Sequence, residues 1–174
     1  MRRIGWCGVT AAGLLLTGAC SSGGGTPSGF VRVTGSKVSA ARPANWRNGT
    51  PTSKIMTATA SSPAQDAEVD VMENFLAGHS KGSKDMLVDT VEAGPQMNST
   101  GYRRTRTKSI DVKGAKAAVR VDYTFDDAKK GPCQAVDVGI LAENEQIHVV
   151  RVIWQRGRLP GKTVDGIVGS VRAS

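Results

Sequence analysis

A chain of 174 residues, 39% of them hydrophobic and 22% charged, suffices for one ordinary domain with short attachments and leaves little room for a second. Its formal charge of +8 suits an anionic membrane or wall polymer and gives no particular reason to invoke nucleic acid. No apolar run reaches the roughly 20 residues that a membrane-spanning helix needs, which excludes helical channels and transporters.

The first element reads as an export signal. Arg2 and Arg3 give a positive start, Gly8 to Leu16 an apolar centre, and Gly18 and Ala19 the small residues before a cut. Gly18-Ala19-Cys20 resembles the lipobox of bacterial lipoproteins, with Thr17 where leucine is preferred and Leu16 one place early. The resemblance implies a thioether-linked diacylglycerol on Cys20, with further acylation of the palmitate kind, and cleavage before it. Residues 1–19 are then the signal, and this covalent lipid is the sole cofactor expected. Two or more acyl chains anchor stably without a helix, so the expected address is the extracytoplasmic face of the cell membrane. Loss of Arg2 and Arg3 leaves a charge of about +6. Cys7 leaves with the signal, and with Cys20 acylated Cys133 is the remaining thiol, expected to be a small buried hydrophobe. A free Cys20 would leave a Cys20–Cys133 bridge open, since exported proteins usually pair their cysteines.

From Ser21 to Gly29 the run SSGGGTPSG holds nothing to bury and behaves as a flexible tether; residues 20–29 are the lipidated cysteine with its leash, and residues 30–174 a single domain. Phe30, Val31 and Val33 open it, a short strand runs from Lys37 to Ala41, and Pro43 ends that strand before Trp46, a large side chain suited to closing one end of the core. Ser53–Ser61 reads as a strand. Pro63 suits a first helical position, and Ala64, Ala67, Val71, Met72, Phe75 and Leu76 recur at helical spacing, so a helix is expected here. The stretch MLVDTVEAG is read as a strand because of Val88, Thr90 and the closing Gly94-Pro95.

The second half reads as an antiparallel meander. GYRRTRTKSIDVKG leads into AKAAVRVDYTF, where Ala117, Val119, Val121, Tyr123 and Phe125 alternate with polar residues. Two further strands flank the loop around Glu143, Asn144 and Glu145, the second dense enough in Val, Ile and Trp to be central. A terminal helix comes last, with Thr163 as its cap and Val164, Ile167, Val168 and Val171 as its apolar stripe. The expected class is α+β, an antiparallel sheet flanked by helices.

Motifs for catalysis are weak. Gly161-Lys162-Thr163 lacks the earlier glycine of a phosphate loop, whose place Arg156 takes, and Pro160 removes a donor; the stretch reads as a turn and helix start. His79 and His148 lie in no metal-ligand cluster, and Ser170 lacks the Gly-x-Ser-x-Gly elbow. No catalytic residue is assigned, no metal is expected, and the chain is not read as an enzyme. If YRRTRTKS is a regular strand, Tyr102, Arg104, Arg106 and Lys108 share one side. Arg104, Arg106 and Lys108 would then form a contact line for anionic lipid heads or polymers, or a solvated row that discourages edge pairing.

Three segments, VSAARPANWRN, GAKAAVRVDYTF and HVVRVIWQRGRLPGKTVDGIVGSVR, resemble the PsbP-like superfamily, including its actinobacterial lipoproteins of the LpqN/LpqT type. The resemblance implies an α/β/α sandwich and a binding or accessory role in the cell envelope, and it carries over no catalytic residue. The expectation is a non-catalytic module that binds a partner protein or an envelope component. The alternative is a carrier of a small apolar or lipid ligand in a pocket near Trp46, Tyr123 and Trp154.

Overall fold

The structure, a computed structural model, describes residues 25–75 and 82–174. The signal, Cys20 and the segment holding Leu76 and His79 lie outside the described residues.

In chain order the described elements are β1 (Phe30–Thr34), β2 (Val38–Pro43), β3 (Arg47–Asn48), β4 (Met56–Ser61), β5 (Ala67–Met72), α1 (Leu87–Asn98), β6 (Thr100–Ser109), β7 (Ala115–Asp127), β8 (Gly131–Ala142), β9 (Ile147–Gln155), α2 (Gly161–Gly169) and β10 (Arg172–Ala173). They form a three-stranded sheet in the order β1-β2-β10 and a seven-stranded sheet in the order β3-β4-β5-β9-β8-β7-β6. Every pairing between named strands is antiparallel. The α+β class is as the sequence implies, and β9 is indeed central, between β5 and β8.

Each face of the larger sheet carries its own core. On one side Val69, Val71, Val136, Val138, Val150 and Val152 meet the small sheet and α2 through Val33, Val38, Ala40, Val164 and Ile167. On the other, Val119, Val121, Leu141 and Val149 meet Leu87 and Val91 of α1. Gly139 permits that contact, because a Cβ there would come within 2.5 Å of Val91 Cγ2. Among the described residues both cores are built from Phe30 onward, so residues 25–174 carry the packing described above. None of the described helices is long and apolar enough to cross a membrane.

Three local expectations are corrected. The helix expected from Pro63 is instead a turn leading into β5. Ala67, Val69 and Val71 alternate with Glu68 and Asp70, and this period of two prevails because the residues are sandwiched between β4 and β9. The strand expected at MLVDTVEAG is α1. Leu87, Thr90 and Val91 form one buried helical face, which covers an otherwise bare sheet, and Pro95 is accommodated in the last turns, where its carbonyl accepts from the Ser99 N–H. Finally, α2 starts at Gly161 with Pro160 in the cap position, so Thr163 lies inside the helix and its N–H bonds Pro160 O at 2.9 Å.

Of the cysteines, Cys133 is free and fully buried, and burial pushes its thiol pKa up, as fits a packing residue. Ser170 is equally buried and fully engaged. Its Oγ donates to Ile167 O at 2.6 Å and accepts from the Ala41 N–H at 2.7 Å, tying the end of α2 to β2.

Candidate functional site: a basic edge strand and the charged row behind it

Among the described residues β6 is the outermost strand of the larger sheet and pairs only with β7. At about 3.4 Å per residue its 10 residues make an edge about 34 Å long. All of them but Tyr102 are exposed. Such an edge offers the backbone N–H and C=O groups that β7 does not use.

Two irregularities decide where its side chains go. Gly101 has φ +66°, and a Cβ there would lie 2.9 Å from Asp126 Oδ2; the ladder slips between Thr100 and Arg103 and again between Arg104 and Arg106. At the second slip Thr105 is the extra residue, and its hydroxyl donates to Asp122 O at 3.0 Å. One inserted residue turns the next part of the strand to the other side. The expectation that Tyr102, Arg104, Arg106 and Lys108 share a side is therefore corrected. Arg104 pairs with Tyr123 on the α1 side, whereas Arg106 pairs with Asp122 and Lys108 with Arg120 on the α2 side.

On the α1 side the Glu92 carboxylate, 4% exposed, accepts from Arg104 Nη1 at 2.8 Å and from the Tyr102 hydroxyl. Burial and the bond to Glu92 push the Tyr102 phenol up. Its ring packs 5.1 Å from that of Tyr123. Arg104 is thus committed to holding α1 against β6.

On the α2 side Asp122 is already occupied by Arg120, which also reaches Asp165 of α2 at 2.8 Å. Arg106, 54% exposed, approaches Asp122 only to 4.0 Å. Arg103 pairs with Thr124 in the ladder, which puts it on the same side as Arg106 and Lys108. The outward basic row is therefore Arg103, Arg106 and Lys108. Sequence reasoning included Arg104 and missed Arg103, because nothing in the residue types marks Thr105 as an insertion; Gly101 was the one available signal that the strand is not regular.

Behind the edge a charged row crosses the sheet. Thr59, Asp70, Arg151 and Asp137 are register partners on β4, β5, β9 and β8. Arg151 Nε donates to Asp137 Oδ1 at 2.8 Å and Nη2 to Oδ2 at 2.6 Å, while the Tyr123 hydroxyl donates to Oδ1 at 3.3 Å. Burial pushes the Asp137 carboxyl up against the opposing pull of Arg151. Although burial works against its charge, Asp137 holds the Arg151 guanidinium above its ordinary value. Asp70 accepts from Thr59 Oγ1 at 2.6 Å, and burial lifts its pKa to about 6. These carboxylates are spent on fixed partners, Asp70 tying β5 to β4 through Thr59 and Asp137 clamping β8 to β9 through Arg151.

The other predicted residues are scattered. Trp46 and Trp154 belong to the core under the small sheet, whereas Tyr123 faces α1 on the opposite side. The three do not line one pocket. Trp154 Nε1 donates to Gln134 Oε1 at 3.1 Å. His148 is buried, its pKa is lowered by burial, and its Nδ1 accepts from the Asn74 N–H at 3.2 Å; it packs on β9 as its alternation with Val150 and Val152 suggests.

Two antiparallel sheets with a helix on each side of the larger one define a fold seen in several solved structures. The chain is similar to cyanobacterial PsbP (CyanoP) from Synechocystis sp. PCC 6803, with TM-score 0.54, 11% identity, and coverage of 91% of this chain and 99% of that one. It is similar to LpqN, involved in cell envelope biogenesis of Mycobacterium tuberculosis, with TM-score 0.56, 11% identity and coverage of 83% and 90%. The Saccharomyces cerevisiae Ran-binding protein Mog1p matches with TM-score 0.53, 11% identity and coverage of 83% and 94%. The fold is thus PsbP-like. By sequence, no family model and no curated protein matches.

Proposed function

We propose that this chain is a lipid-anchored accessory protein on the extracytoplasmic face of a bacterial membrane, which works by binding a partner protein along β6. The observation that carries the reading is the edge itself: ten residues, nearly all exposed, at the rim of a rigid sheet, with Arg103, Arg106 and Lys108 projecting on one side. An extended segment bearing acidic residues would complete the ladder with backbone hydrogen bonds and pair its carboxylates with that row. The Arg104–Glu92 bond holds α1 against that edge. Structures of the same fold include one described as Ran-binding and one described as involved in envelope biogenesis, which favours a binding role over a catalytic one.

The address rests on the lipobox-like Gly18-Ala19-Cys20 and the glycine-rich leash. Mass spectrometry of the membrane-extracted protein should find a mature N-terminus at Cys20 carrying diacylglycerol, and Cys20→Ser should release the protein from membranes. An unmodified Cys20 in a membrane-free protein refutes the anchor.

A further inference from the structure

The small sheet carries a second basic site, remote in the topology from β6. Thr34, Ser39 and Arg172 are consecutive register partners across β1, β2 and β10, and Lys113 bridges to Arg172 on its far side. Register partners share a face, so these four side chains stand in a row across adjacent chain segments about 4.8 Å apart. They line a cavity of about 300 Å³ beside the β1–β2 turn, at the small end of the range that takes organic ligands.

The chemistry of the row has one sign. No Asp or Glu side chain lines the cavity, and neither Lys113 nor Arg172 makes an ion pair among the described residues. Arg172 Nε is buried and meets no acceptor, an unsatisfied donor that is unfavourable to leave without a partner. Ser39 Oγ accepts from Arg32 Nη1 at 3.2 Å and keeps its proton to donate. Arg32 sits close enough to Arg172 that, besides burial, the neighbouring positive charge lowers its pKa. Around Lys113 and Arg172, donors and positive charge are gathered with no Asp or Glu to meet them.

We infer that the cavity between Thr34, Ser39, Lys113 and Arg172 binds the phosphate group of a small organic phosphate, with the Arg172 guanidinium and the Ser39 hydroxyl donating to its oxygens and Lys113 supplying the second charge. A guanidinium fork with hydroxyl donors suits an oxyanion that has three or four acceptor oxygens. The phosphate has two sources to distinguish, a free phosphate ester and the headgroup of an anionic lipid. β1 begins directly after the leash, whose nine residues from Ser21 to Gly29 reach about 30 Å when extended, so an anchored protein holds this cavity within reach of headgroups.

The test uses residues 25–174, which contain both cores, with thermal melts confirming that each variant folds. Inorganic phosphate is titrated while the backbone amide resonances of Thr34 and Ser39, which line the cavity, are followed by nuclear magnetic resonance, with chloride at matched ionic strength as control. A saturable shift is expected with phosphate only, weakened at least tenfold by Arg172→Gln and by Lys113→Gln and unaffected by Arg106→Ser. Co-sedimentation with phosphatidylglycerol vesicles, against phosphatidylcholine, assigns the source. Binding lost in Arg172→Gln points to a lipid headgroup, and a phosphate-induced shift without vesicle binding points to a soluble ester. No saturable shift, or a shift equal to that with chloride, overturns the inference, as does vesicle binding that depends only on Arg106 and Lys108.

Discussion

Replacing Arg151 with methionine keeps most of the side-chain length on β9 and strands the Asp137 carboxylate, which is fully buried and bonded to both ends of the guanidinium. Breaking a buried pair from one side costs about 3–5 kcal/mol. The stranded group has one escape, protonation. From an ordinary carboxyl value near 3.8 to pH 7, protonation costs about 4 kcal/mol at 1.36 kcal/mol per pH unit, so the loss at pH 7 is capped there. At pH 5 the cap falls to roughly 1.6 kcal/mol by the same rule. Urea unfolding of residues 25–174 should therefore show Arg151→Met about 3–4 kcal/mol less stable at pH 7, equivalent to a melting point lower by roughly 10 °C, and less than half as affected at pH 5. Adding Asp137→Leu should recover most of the loss, because both desolvated charges are then gone. A loss under about 1 kcal/mol at pH 7, or one that is the same at both pH values, would refute the clamp.

Asp70 gives a pH signature of opposite sense to a salt-bridged carboxylate. Its folded pKa is raised from 3.8 to about 6, so its contribution is fully present below 3.8 and is lost as pH rises through 6. Between pH 4 and pH 7 the loss is about 2.4 kcal/mol. Asp70→Asn should flatten that part of the stability profile, and an unchanged profile would contradict the raised value. Ser170→Ala removes the acceptor of the buried Ala41 N–H and should cost about 1–3 kcal/mol, with faster amide exchange in α2; a cost below about 0.5 kcal/mol counts against its role as a tie. Deleting Thr105 should make the β6–β7 ladder regular while keeping Arg104 opposite Tyr123 and Arg106 opposite Asp122, so the nuclear Overhauser contacts of Arg106 and Lys108 stay on the α2 side; new contacts from Arg106 to Glu92 would show that Thr105 is not the extra residue.

How much of this was legible depended on whether one strand's pattern was enough. Within β7 the alternation of Val119, Val121 and Tyr123 names the buried side without reference to neighbours, and the valine-rich β9 announces a strand covered on both faces. Residues 67–72 satisfied helical and strand spacing at once, and the deciding fact, the presence of β4 and β9 on either side, is settled partly by a segment far away in the chain. α1 was hidden for the converse reason. Val88 and Thr90 favour strands, but Leu87 and Val91 had a sheet face to cover. Register is invisible in a single sequence, and it separates Tyr123 from Trp154: Tyr123 pairs with Ala135 and Trp154 with Gln134, adjacent residues that point to opposite faces. The basic edge was partly legible as composition, and its direction was lost at the Thr105 insertion. Arg172 and Lys113 gave no signal, because they meet only through the pairing of the chain's last residues with the segment before β7.

The claim that β6 is the working edge is most directly tested by photo-crosslinking in the native cell. A crosslinking residue is placed at Lys108 or Arg103 on β6, and at Glu143 in the β8–β9 loop as comparison. The β6 positions should yield the same discrete adduct, lost in Arg106→Glu protein that melts normally, while Glu143 yields none. Equal adducts from all three positions, or an adduct indifferent to the charge reversal, would contradict a partner seated on that edge.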